Sequence, residues 1–266
     1  MRVIDIERDM RDMIPLGVTR DSEFLFERLT EVTLSLAEPR AGRRILDVAS
    51  GLGQDAMAMA SAGAVVAGAE PSGRMANWAR EESEKAGAPL PLWVRGWSDA
   101  LPFASGSFDA VICKGSIDHF DRPGCAIQEM ARVAAPHGRV VLAIANFESL
   151  ACRIGRAQDD VREVWLRRDV RRGRRGYDVP IDHFTRYDLE LMREQASEHL
   201  ELEVSVGVSL GWGVPVWSRF VERLPRAPAC VALQALDAVA RRLPGLADTV
   251  VLAGRPRPRC SRSTSR

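Results

Sequence analysis

The sequence predicts an α/β protein: a doubly wound, mostly parallel seven-stranded sheet with an antiparallel last strand and helices on both faces. Three observations predict it. Between residues 45 and 145 short apolar runs alternate with helical patterns, roughly 20 to 30 residues per unit, the spacing of βαβ units joined by right-handed crossovers. The first run, Ile45–Val48, breaks into a small-residue turn, Ala49-Ser50-Gly51-Leu52-Gly53, and a helical pattern starts at Gln54. The last apolar run, Asp248–Gly254, follows an alternating one at Leu200–Val208, as expected of an antiparallel seventh strand at the sheet edge.

Residues 1–40 read as a helical cap. Phe24, Leu25, Leu29, Val32 and Leu36 recur at three- and four-residue spacing, with Asp21 or Ser22 placed to cap the start. Ile14-Pro15-Leu16-Gly17-Val18 breaks this region into two helices, and Pro39 with Gly42 ends it. Residues 41–254 follow as the main domain. Helix Gln54–Ala62 carries small residues suited to close packing on a sheet. Ala64–Ala69 is a buried strand ending at Glu70, and Pro71-Ser72 open a helix through Lys85. Strands are expected at Pro89–Val94, Ala110–Lys114 and Arg139–Ala145. The helix Pro123–Val133 and the turn Ala135–Gly138 separate the last two.

Beyond residue 150 the reading is coarser. Residues 151–182 and 209–245 are inserts, the first holding an arginine-rich run at 167–175. That run reads as a solvated face, or as a clamp for an acidic substrate or carrier. Thr185 or Asp188 caps a helix Leu189–Ala196, and Val231–Ala240 is an apolar helix. Residues 255–266 read as a disordered tail.

Composition bounds the function. At 266 residues the chain is long enough for one large domain, and its formal charge of +1 gives no general attraction to nucleic acid or acidic membranes. The arginine run lacks interleaved stacking aromatics, so no nucleic-acid partner is expected. Five scattered cysteines without a C-x-x-C pair argue against a disulfide framework or zinc site and suit a reducing cytoplasm. The charged start MRVIDIERDMRD is not a signal peptide, and no stretch approaches a membrane span.

The glycine turn is where a ligand is expected. Glycines let a ligand approach the backbone, and the helix N-terminus beyond offers unpaired N–H groups. Gly51-x-Gly53-x-x-Ala56, with Glu70 downstream, also fits a dinucleotide pattern. An NAD(P)-dependent oxidoreductase is therefore an alternative, although Ser116 has no Tyr-x-x-x-Lys after it. Glu70 itself is placed either as a ribose ligand or as an acid favoured by the dipole of the following helix. Open parallel sheets bind ligands beyond their carboxyl ends, which puts the loop Gly115–Phe120 at the same site.

An acid closing the first strand before the small-residue turn, the block G-x-x-D-A-L-P-F at residues 96–103, then S-F-D-A-V at 107–111, and A-R-V-A-A-P-H-G at 131–138 come in order and at fitting distances. Together they resemble the class I (Rossmann-like) S-adenosylmethionine-dependent methyltransferases of small-molecule type, over about residues 43–145. The resemblance implies S-adenosyl-L-methionine as cofactor. It implies that Asp47, Ala49, Ser50, Gly51 and Gly53 hold the methionyl part and Glu70 the ribose. Pro71, Met75, Trp97 and Ser98 would border the adenine, with Lys114 and Gly115 on the sulfonium side. Two departures stand out: Ala49 occupies the family's first glycine position, and Trp97 stands where an acid usually meets the adenine amino group.

Methyl transfer from a sulfonium needs alignment and exclusion of water rather than a nucleophile or metal, so no metal site is expected. An oxygen acceptor would need a base. His119 and His183, both in loops beyond strand ends, are the candidates, with Asp118 and Tyr187 behind them. The expected partner is a small-molecule methyl acceptor, the assembly a monomer or homodimer, and the location cytoplasmic. A non-catalytic S-adenosylmethionine-binding protein is the remaining alternative.

Overall fold

The structure is a computed structural model that describes residues 19–87, 90–166, 177–178, 184–214 and 216–258. The break at Ile14–Val18, the arginine run, His183 and the end of the tail lie outside the described residues.

Seven strands form one sheet in the order β3-β2-β1-β4-β5-β7-β6: β1 (Arg44–Val48), β2 (Val65–Glu70), β3 (Leu92–Arg95), β4 (Phe108–Lys114), β5 (Ala134–Ala145), β6 (Leu200–Val208) and β7 (Thr249–Pro256). The pairs β1–β2, β1–β4, β2–β3 and β4–β5 are parallel, and β7 runs antiparallel to both β5 and β6. The antiparallel strand thus lies inside the sheet, and β6 takes the edge that the sequence reading gave to β7. Composition explains this: Thr249–Gly254 is buried throughout, whereas β6 alternates exposed and covered residues along its first half.

The helices are α1 (Arg20–Ala37), α2 (Gln54–Ser61), α3 (Gly73–Ala86), α4 (Pro123–Val133), α5 (Leu150–Leu166), α6 (Leu189–Ser197), α7 (Trp217–Arg223) and α8 (Arg226–Arg242). Successive strand residues point to opposite faces, so each central strand feeds two cores. Leu46, Val111 and Leu142 pack with Ile127 and Met130 of α4 and Met192 of α6. Ile45, Ile112 and Val141 pack on the other face with Leu25 and Leu29 of α1 and Met59 of α2. Each large apolar side chain fully buried there is worth roughly 1.5–3 kcal/mol.

Local signals place most boundaries. Ser72 accepts the Met75 N–H at 3.2 Å at the start of α3, and Asp188, not Thr185, caps α6 by accepting the Leu191 N–H at 2.8 Å. The third strand is shorter than expected and begins at Leu92. The Ala135–Gly138 turn is carried inside the span of β5, where the pairing to β4 jumps from Phe108–Ala134 to Ala110–Arg139. The 209–245 insert is mostly helical, as α7 and α8. The final strand continues through Arg255 and Pro256, which the sequence reading had placed in the tail.

Candidate functional site

The site is built at the carboxyl ends of β1, β2 and β4. After β1, Ala49 turns the chain with φ +57°, its N–H donating to the Ala69 carbonyl at 2.8 Å. Gly51 (φ +54°) and Gly53 (φ +76°) also take left-handed conformations, and the Gly53 N–H closes onto the Ser50 carbonyl at 2.8 Å. Glu70, at the end of β2 and buried, joins the turn directly. Its Oε2 accepts the Gly51 N–H and its Oε1 the Ser72 N–H, both at 3.0 Å. Burial raises its pKa, and the two backbone donors partly offset this.

Two side chains shape the turn from beneath. A Cβ on Gly53 would lie 2.1 Å from Cη2 of Trp93, and one on Gly68 would lie 2.4 Å from Cζ3 of the same ring. The glycine at 53 is therefore required by the Trp93 indole on β3 as well as by the backbone. Met75 is buried in α3, its Cε 3.6 Å from where a Gly51 Cβ would stand. The Ser50 hydroxyl is buried and has no hydrogen-bond partner.

Charge gathers under the turn. Asp47 is buried and accepts the Ala56 N–H. Burial first, then the neighbouring Asp55 carboxylate, hold its carboxyl well above the usual range; Lys114 opposes this and Glu70 adds to it. Lys114 Nζ sits 2.8 Å from Asp55 of α2 and 2.6 Å from the Thr30 hydroxyl of α1. One ammonium thus joins β4, α2 and the cap helix. The sequence reading missed Asp55 and Thr30. The available signal was that Lys114 is one of only two lysines in a chain otherwise basic through arginine. Next to it Gly115 (φ +64°) has open space where a Cβ would stand.

The loop after β3 faces the same end of the sheet. Trp97, half-buried, forms an antiparallel bridge with Ala100, and Ser98 lies between them. Helix α4 holds the loop's far side. Glu129 Oε2 accepts the Leu101 N–H at 3.0 Å, and Arg132 donates to the carbonyls of Leu101 (2.9 Å) and Phe103 (2.8 Å). Pro71, after Glu70, has its carbonyl 3.2 Å from Arg95 Nε, which donates to it.

Of the candidate bases, His119 is half-buried in a short 3₁₀ turn, Ile117–His119, directly after β4. Asp118 is buried in that turn, and its carbonyl accepts the Phe184 N–H at 2.7 Å. The neighbour of His183 is thereby tied to the turn that carries His119. Tyr187 is a core residue instead: it is fully buried, and its hydroxyl donates to Gln195 Oε1 at 2.6 Å. Desolvation raises its pKa, which removes it as a base near neutral pH. Among the described residues no group of three or more His, Cys, Asp or Glu is arranged to hold a metal.

The methyltransferase domain family matches residues 46–142, from β1 through most of β5. Over those residues the chain is similar to methyltransferase domains. Methyltransferases of this type generally use S-adenosylmethionine. Curated relatives match about half of the chain or less. Similarity to the uncharacterised methyltransferase YcgJ of Bacillus subtilis is 30% identity over 109 residues, 41% of this chain and 43% of that protein. Similarity to the demethylmenaquinone methyltransferase of Beutenbergia cavernae is 34% over 133 residues, 50% of each chain. The chain thus spans about half or less of the length of these relatives. The fold likeness reaches further: the PH0226 protein of Pyrococcus horikoshii superposes with a TM-score of 0.59, covering 96% of this chain and 97% of that one at 17% identity. The fold likeness thus extends over nearly the whole chain, whereas the match to the methyltransferase domain family covers residues 46–142.

Proposed function

We propose that this chain transfers a methyl group from S-adenosyl-L-methionine to a small-molecule acceptor by in-line displacement. The observation that carries the reading is the Glu70 carboxylate bonded to the Gly51 N–H, which puts an acid beside the glycine turn. The residues present fit the cofactor: a buried, unpartnered Ser50 hydroxyl lies in the turn, and at the end of β4 a Cβ on Gly115 would meet nothing within 4 Å. In this reading Asp47, Ala49, Ser50, Gly51 and Gly53 hold the methionyl part, and Glu70 the ribose. Pro71, Met75, Trp97 and Ser98 border the adenine, and Lys114 and Gly115 lie on the sulfonium side.

When bound, the cofactor supplies an activated methyl on a positively charged sulfur. The protein's own work is to position and to exclude water. Glu70, its two backbone bonds already made, orients the turn as well as the ribose. The Trp93 indole stops the turn from collapsing inward. The ion pair of Lys114 with Asp55 fixes the end of β4 against α2, and its bond to Thr30 brings α1 over the site. Alignment of this kind supplies several kcal/mol of the barrier reduction. For an acceptor hydroxyl, His119 takes the proton, with His183 as the second candidate. Two relatives are named demethylmenaquinone methyltransferase, an acceptor that is neither a protein nor a nucleic acid, which supports the small-molecule reading. The reading is completed by a cytoplasmic location and a monomeric or homodimeric assembly.

Calorimetry with S-adenosylmethionine, its demethylated product and NADH tests the cofactor. Binding of the first two and not of NADH is expected; binding of NADH alone overturns the reading. Incubation with labelled donor and a panel of phenols, quinols and amines then identifies the acceptor. Binding without transfer to any acceptor would leave a non-catalytic binding protein.

A further inference from the structure

Strand β7 is antiparallel to both β5 and β6, so β6 runs in the direction of β4 and β5. Its last residue, Val208, therefore lies at the same carboxyl edge as Lys114 and Gly115, and the loop after β6 stands at the ligand-binding edge of the sheet. Helix α1 runs toward that edge. Just past its end, Glu38 meets Arg139 at 3.6 Å, beside Ala110 in the first half of β4. Earlier in α1, Thr30 meets Lys114 at the end of β4. Phe26 is one turn before Thr30 on the same helix face, about 6 Å further from Glu38, so α1 carries it outward from the end of β4. There Phe26 meets Trp212 of the loop after β6, edge to face, with ring centroids 6.1 Å apart and an interplanar angle of 71°. Neither ring belongs to a core cluster among the described residues, and Trp212 is 40% exposed.

The loop is built to hold the Trp212 ring in place. Ser209 (φ +60°), Gly211 (φ +101°) and Gly213 (φ +88°) all take left-handed conformations. Strain of this kind, at Ser209 above all, persists only where the surroundings fix it, and it gathers at ligand sites. Two buried carboxylates fix it here. Asp237 of α8 accepts the Ser209 N–H at 3.1 Å, and Asp248 accepts the N–H groups of Gly211 and Trp212 at 3.2 and 3.0 Å. A ring left two-fifths exposed returns only part of its burial energy, so packing alone does not account for this outlay of backbone bonds. We propose that Phe26 and Trp212 form the acceptor-binding wall of the site, and that the acceptor is a flat aromatic ring stacked on Trp212, with its reacting atom directed to the Gly115–His119 end of β4. This inference rests on the reading of the glycine turn as an S-adenosylmethionine site. A planar ring suits such a wall: offset or edge-to-face contact with an indole adds to burial, whereas a saturated ring of the same size offers burial alone. The wall binds and orients; it takes no part in bond making.

The test is calorimetry on the intact protein saturated with the demethylated product of S-adenosylmethionine. It is titrated with a naphthol and with the fully saturated decalin alcohol of the same skeleton. The naphthol is expected to bind about three- to tenfold more tightly. Trp212→Leu should remove that preference, Trp212→Phe should keep most of it, and Phe26→Leu should reduce it. Affinity for the demethylated product should stay unchanged in all three variants, because neither ring is among the residues assigned to the cofactor. Equal affinity for the two alcohols, binding of neither, or a preference that survives Trp212→Leu overturns the inference and leaves the cofactor assignment standing. A wild-type dimer that is lost in Trp212→Leu, with naphthol binding unaltered, overturns it as well and gives the rings to a contact between copies. Failure of the demethylated product to bind defeats the cofactor assignment itself, and the inference with it. If Trp212→Leu does not fold, the wild-type preference and Phe26→Leu decide the matter.

Discussion

Ala49 shows how a single methyl can sit in the wrong backbone region and persist. Its φ of +57° costs an L-residue roughly 1–2 kcal/mol. It is held there by its N–H bond to Ala69 and by Glu70 closing on Gly51 two residues later. Ala49→Gly removes that strain but returns about 0.5–1 kcal/mol of chain entropy to the unfolded state. The variant is therefore expected to be more stable by about 0.5–1 kcal/mol, measured as a higher urea midpoint at unchanged slope. A lower midpoint would mean that the methyl makes a packing contact worth more than the strain. Gly53 carries the opposite lesson. Its spacing with Gly51 reads from sequence as a ligand feature, yet the ring of Trp93, forty residues on, also forbids a side chain there. Contacts between residues distant in sequence leave no local trace, so this second reason for the glycine was not legible.

At the scale of elements, the loop after β3 is held from behind by one forked side chain. Arg132 donates to two carbonyls of that loop, and Glu129, paired with it, accepts a third backbone bond. Arg132→Ala should cost about 2 kcal/mol, two backbone bonds at about 1 kcal/mol each, read by urea denaturation. Arg132→Lys should recover less than half of that, because an ammonium cannot span both carbonyls. Full recovery by lysine would show that charge alone matters. Elements of this size were largely readable beforehand. The strand-turn-helix at 45–61, the exact span of β6 and the α4 helix follow from apolar period and caps. The order of the last two strands was not foreseen, although its sign was present. Val250 to Ala253 is an unbroken apolar run with both faces buried, whereas Glu201 and Glu203 interrupt β6 as an edge strand tolerates. The 209–245 region resisted because its helices belong to no repeating strand-helix unit: α7 packs on α1, and α8 packs on the edge strand β6.

At the scale of the whole molecule, stability should depend on pH through Asp248. This residue precedes β7 and ties the loop after β6, accepting the N–H groups of Gly211 and Trp212 at 3.2 and 3.0 Å. Burial above all, with Asp21 adding, pushes its carboxyl up to about 6, and the donors from Trp212, Ser209 and Gly211 only partly oppose this. A carboxyl raised in the folded state binds its proton more tightly there than in the unfolded chain. Its contribution is fully present below about pH 4 and is lost as pH rises through about 6. The loss is on the order of 3 kcal/mol, two pKa units. Asp248→Asn, which cannot ionise, should therefore gain on the wild type between pH 4.5 and pH 7. Urea midpoints at the two pH values measure the difference, and a parallel shift of both proteins would show that Asp248 titrates normally.

The three-way junction at Lys114 has a consequence for engineering. Anyone who replaces helix α1 also swaps out Thr30, and with it one arm of the fastening that seats that helix on the scaffold. A transplanted helix without a hydroxyl at that position would leave the ammonium with Asp55 alone, so chimaeras should keep that one oxygen as well as the apolar stripe.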